Sequence, residues 1–160
     1  MRWLPLLVLA ISAPVAAQVV FAGGSWAAID RGKSCEASAR ALRIAEKGKV
    51  QARAGFAFDP AGPRHGQFYA QLSRSPRAGS TVILTVGDQP FLLAATSGWA
   101  WSRGGPQDRA IIDAVRAGGA MKLESRDAAG VRFTDRYLLD GAPTAIDAAA
   151  ARCAGKKAQS

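Results

Sequence analysis

Two cysteines, one histidine and a closely spaced tryptophan pair are the residues of this chain with the most chemistry to offer. Cys35 sits in "RGKSCEAS" and Cys153 in "ARCAGKK". A catalytic cysteine needs a base that draws off its proton, and His65 is the only histidine. A zinc site needs four protein ligands, or three and an open position. Two cysteines and one histidine without local spacing do not make that set, so neither a metal nor a cofactor is expected. In an oxidising compartment an even pair at the two ends of a domain reads as a disulfide. It would close a loop of about 118 residues, which chain entropy values at roughly 4 to 5 kcal/mol. The alternatives are two free structural thiols, or a reactive Cys35.

His65 lies in "PRHGQ", a Pro/Gly loop, and its expected state is solvent-exposed. No "G-x-S-x-G" elbow accompanies it, as a serine triad on a strand–turn–helix would require. Paired carboxylates could cleave glycosides, but the chain has only 12 Asp and Glu residues in all. Asp108 and Asp147 fall in the first turns of expected helices, and Asp59, Asp88 and Asp127 fall in expected turns. Glu36, Glu46 and Glu124 cannot be paired from sequence. No enzyme is expected on these grounds. The best binding candidate is "SGWAWSRGG", with Trp99, Trp101 and Arg103. Two indoles at a spacing of two share one side of a strand, and with the nearby arginine their faces suit a sugar, a peptide or an aromatic ligand. The same pair would also serve as core bulk. Arg109 and Arg116 could extend Arg103 into a basic flank facing an anionic partner.

The elements that must carry these residues begin after an export signal. "MRWLPLLVLAISAPVAAQ" has one basic residue, an apolar run and small residues ahead of Gln18, the order of a cleavable signal peptide over residues 1–17. A periplasmic or secreted location is expected. Beyond Gln18 no apolar run exceeds about ten residues, too short to span a bilayer. The formal net charge is +9, spread over scattered arginines, with only Lys156 and Lys157 adjacent. Dispersed charge suits loose attraction to anionic glycans, lipid head groups or proteins. It lacks the basic stripe and module of a nucleic-acid binder.

Short β segments separated by turns fill the first two thirds. "SWAAIDRG" and "CEASARAL" make a first hairpin, and Val50, Ala52, Ala54, Phe56 and Phe58 keep period two. Phe68, Ala70 and Leu72 share a face, "STVILTV" is the best central strand, and "FLLAAT" and "GWAW" follow. "PQDRAIIDAVRAGG" reads as a helix stopped by Gly118 and Gly119. "AMKLESRDAAGVRFTDRYLLDG" is a hairpin turning at "DAAG", and "TAIDAAAARC" is a helix opened by Thr144 and Asp147 in a capping box. Seven or eight strands and two short helices predict a mainly β fold. The form is an antiparallel β-sandwich or a partly open barrel, with α+β as the near alternative. One β-rich domain spans residues 18–154, and residues 155–160 form a polar tail.

The succession of signal peptide, early Trp and Cys, "TVILTVGDQPFLL", "DAVRAGG", a hairpin and "YLLDGAPTAIDAAAA" resembles the invasion-associated locus B family of exported alphaproteobacterial proteins, mainly in the C-terminal half. Members usually carry additional cysteines around the middle strands, where this chain has "FLLAATSGWAWSRGG". The resemblance implies an exported protein loosely tied to host-cell entry and brings no catalytic residues. The expected function is that of a non-catalytic envelope or secreted protein acting by binding, in host or cell-surface interaction. The alternative is a small exported hydrolase or hydrolase inhibitor.

Overall fold

The structure is a computed structural model and describes residues 16–157; the expected signal peptide falls almost wholly outside the described residues. The mainly β expectation holds. Ten strands form one open antiparallel sheet: β1 (Gln18–Gly23), β2 (Trp26–Asp30), β3 (Cys35–Arg40), β4 (Arg53–Phe58), β5 (His65–Gln71), β6 (Val82–Val86), β7 (Gln89–Thr96), β8 (Trp99–Trp101), β9 (Ala120–Arg126) and β10 (Arg132–Leu138). Helix α1 (Gly105–Ala117) joins β8 to β9, and α2 (Ala142–Lys157) follows β10. The spatial order is β1-β2-β3-β4-β5-β8-β7-β6-β9-β10. The chain therefore leaves β5 for β6, returns through β7 to place β8 beside β5, and crosses back over α1 to β9.

Period-two alternation builds the core. Ala28, Ala37, Phe56 and Phe68 are fully or almost fully buried, and the last three lie in one register row across β3, β4 and β5. Trp26 stacks on Phe56 at 6.1 Å and Phe68 meets Phe56 edge-on at 5.4 Å. Alanines between the rings leave them room, and the alanine face of α2 (Ala142, Ala145, Ala149) lets that helix lie close over the same strands. "STVILTV" turns out to be buried on one side only: Val82, Leu84 and Val86 are inside, while Ile83 is 37% exposed.

The sheet stays open, but β10 comes back against Trp26 of β2 and the loop after β3. The Trp26 indole N–H donates to Leu138 O at 2.8 Å, Ser25 N to Asp140 O at 3.0 Å, and Leu42 N to Arg136 O at 2.8 Å. At this seam the β1–β2 turn presses on the turn before α2. A Cβ on Gly141, which has φ of 85°, would lie 2.1 Å from Gly23 O, so only glycine fits there.

The disulfide Cys35–Cys153 is formed, with Cα atoms 5.8 Å apart and both residues buried. Beside it the buried Asp30, which is the register partner of Cys35, takes Arg152 Nε at 2.7 Å and the Lys156 ammonium. Lys156 also donates to Gly32 O at 2.8 Å. This clamp explains why α2 continues to Lys157, into the stretch read from sequence as a tail.

Other departures from the sequence reading have local causes. β1 carries no clear alternation and is largely exposed. α2 starts at Ala142, so Thr144 lies inside its first turn, and Asp147 meets Arg116 of α1 at 2.5 Å in place of capping. The helix is 16 residues long rather than short. Asp108 is buried and accepts a hydrogen bond from Phe68 N at 3.0 Å, which fastens α1 to β5.

Candidate functional site

The alternation that buries one side of β3, β4, β5 and β8 turns a second set of residues outward. Ala100 is fully buried, so Trp99 and Trp101 point to the other face, and both are half-buried. They are outside the core. Register then places them: Trp99 stands in a row with Arg40, Arg53, Gln71 and Thr96, and Trp101 in a row with Ser38, Gly55, Tyr69 and Ala94.

Arg53 of β4 holds its guanidinium carbon 5.7 Å from the Trp99 ring centre, within cation–π range. Among the described residues Arg53 forms no ion pair, and its Nε is buried with no hydrogen-bond partner. Arg53 as a whole is half-buried, around that unpartnered Nε. Tyr69 packs against Trp99 at 6.5 Å between ring centres and donates its hydroxyl to Glu36 Oε2 at 2.9 Å. The other Glu36 oxygen takes Arg31. Burial first, and then the negative Glu36, push the Tyr69 phenol well above its ordinary value, so it stays protonated and donating.

Glycine makes this arrangement possible. Tyr69 faces Gly55 across the β4–β5 pair. A Cβ on Gly55 would lie 2.4 Å from Ala37 O and 2.9 Å from the Tyr69 hydroxyl. The phenol crosses a strand that offers no side chain, and so reaches Glu36 on β3.

Trp99 and Trp101 are thus neighbours on one exposed aromatic face. Arg103 is engaged locally: its Nη2 donates to Leu93 O at 3.4 Å and its backbone N to Gln107 Oε1 at 2.7 Å, at the start of α1. Arg116 is engaged by Asp147, and Arg109 folds back toward Gly105. The cation over the Trp99 ring is Arg53, which sequence reading missed. Its signal was present: in "KVQARAGFAFD" Arg53 is out of phase with Ala52, Ala54, Phe56 and Phe58, so it must face away from the core. Its pairing with a strand more than forty residues on could not be read.

The remaining chemical candidates have other partners. His65 is exposed at the first position of β5. Asp59 holds Arg64 through its guanidinium and backbone N, and that contact keeps its carboxyl below the usual range. Asp127 is likewise lowered, by Arg74 first, and orders its own turn through Ala129 N and Val131 N. Among the described residues no group of three or more His, Cys, Asp or Glu side chains could hold a metal ion, and no helix is long and apolar enough to cross a membrane. Comparisons with protein-family profiles, with curated proteins and with solved structures found no match, so the reading of this face rests on its own geometry.

Proposed function

We propose that this is an exported, non-catalytic binding protein of the cell envelope or its surroundings, in keeping with its resemblance to the invasion-associated locus B family. The Trp99–Trp101 face takes an anionic, sugar-bearing surface ligand. One observation carries the reading: an unpaired, partly desolvated arginine lies over an exposed-face tryptophan, with a second tryptophan beside it. Indole faces stack on the apolar faces of sugar rings, and the free Arg53 donors suit a carboxylate or phosphate. Glu36 and Tyr69 bond one another and fix the platform.

The test is binding of the mature chain to immobilised glycans, neutral and acidic, with Trp99→Ala and Arg53→Gln as variants. Acidic glycans should be retained, with loss of about tenfold or more in affinity for each variant, the scale of one desolvated cation or stacking contact. The bound glycan should be recovered intact by mass. Undiminished binding by Trp99→Ala, or cleavage of the glycan, would overturn the reading.

A further inference from the structure

The loop between β3 and β4, residues 41–52, is built to hold apolar side chains in solvent. Leu42 is 53% exposed, Ile44 74% and Val50 46%. Burial in the fold would be the ordinary fate of three such residues. The loop is nevertheless well braced. Ala41 N donates to Ala52 O at 2.9 Å, and Leu42 N is tied to β10 through Arg136 O. The Gln51 side chain accepts from Ala45 N at 2.9 Å and donates to Arg43 O at 3.3 Å. The apolar display is therefore a property of the native shape.

The charge carried by the loop and its ends is mostly positive. Arg40, Arg43, Lys47 and Lys49 are exposed on or beside the loop, against the single carboxylate Glu46. The loop borders a cleft of about 680 Å³ at the seam of the sheet, to which Arg43, Lys49 and Arg132 contribute alongside Ile44 and Val50. Arg74, also at this cleft, is committed to Asp127 at 2.8 Å.

Aliphatic side chains projecting from a braced loop, ringed by lysine and arginine, match an anionic bilayer surface. The apolar tips enter the boundary of the acyl chains while the cations meet phosphates. An acidic protein partner would satisfy the charge but leave Ile44 without a reason to project so far. We infer that the β3–β4 loop docks this protein on anionic phospholipid membranes, with Leu42, Ile44 and Val50 inserting and Arg43, Lys47 and Lys49 contacting head groups. This surface does not depend on the glycan reading of Trp99 and Trp101.

Sedimentation of the mature protein with vesicles tests it, using phosphatidylglycerol mixed with phosphatidylcholine against phosphatidylcholine alone. Binding is expected to the mixed vesicles, falling with added salt. Ile44→Asp with Val50→Asp, and separately Lys47→Glu with Lys49→Glu, should each weaken it by about tenfold or more. Thermal midpoints should be unchanged, since all four positions are exposed. Trp99→Ala should bind vesicles like the parent chain. In Ile44→Trp, acyl-brominated lipid should quench the new indole beyond the parent's own signal. No sedimentation with anionic vesicles, full binding by the aspartate pair, or no added quenching of Ile44→Trp would overturn the inference.

Discussion

The two faces of β3, β4 and β5 are made from alternate residues of the same few segments, yet they are held in opposite ways. The inner face is apolar and covered by helices, with rings set among alanines, and next to it Asp30 of β2 is neutralised beside a disulfide. The outer face has no covering element and keeps itself in order by lateral contacts: Tyr69 to Glu36, Glu36 to Arg31, Arg53 over Trp99. The difference teaches where spare chemistry can reside. On the inner side the buried carboxylates Asp30 and Asp108 are consumed in holding the helices. On the outer face Arg53 is left over an aromatic ring, with no ion pair among the described residues.

That contrast can be broken most severely at the bridge. Replacing Cys35 and Cys153 with alanine should cost about 3 to 5 kcal/mol, read by urea unfolding beside the oxidised parent. A loss below about 1 kcal/mol would mean that packing of α2 alone secures the inner face.

Gly55 is where the two faces compete for one position. Gly55→Ala should destabilise by about 3 kcal/mol, the upper end for overpacking, because the methyl group meets the Ala37 carbonyl as well as Tyr69. Combining it with Tyr69→Ala separates the two causes. Recovery of most of the loss would assign it to the phenol, and no recovery to the backbone.

Acid should act through the inner face more gently. Burial raises the Asp30 pKa, but Lys156, then Arg152, then Gly32 N outweigh it and bring the group down from 3.8 to about 2. Its stabilisation is complete above pH 4 and is lost as pH falls through 2, because the unfolded chain takes up the proton first. The amount is about 2 kcal/mol. Asp59, Asp127 and Asp147 are lowered too and add in the same direction. Asp30→Asn isolates the Asp30 share: its stability should change less between pH 4 and 2 than the parent's by that amount. An equal change would remove Asp30 from the account.

Much of this architecture was legible before any coordinates. Alternation in "KVQARAGFAFD" and "QFYAQL" marked both the strands and their core side, since a strand's faces are set by parity alone. The hairpin at Asp127–Gly130 was signalled by its turn residues and is held by the Asp127 side chain as such turns are. The helix of "PQDRAIIDAVRAGG" was bounded by its proline and its glycines. β1 escaped because "QVVFAG" lacks alternation and is assembled only by its neighbour β2. The start of α2 was misplaced because Thr144 and Asp147 have capping spacing, while Gly141 and the contact of Asp147 with Arg116 decide its actual use.

For the candidate site the division is sharper. Parity along "GWAW" put Trp99 and Trp101 on one side of a strand, and parity along β4 put Arg53 on the side away from Phe56 and Phe58. Which side was buried, and that the two segments stand in one row through Gln71, followed only when β8 paired with β5. That pairing is a long-range event, set by how the rolled sheet buries Ala100, Phe68 and Phe56 together. Residue types and local periodicity are properties of the chain; adjacency across strands is fixed by the packing of the whole core, and here it brought Arg53 to the Trp99 indole.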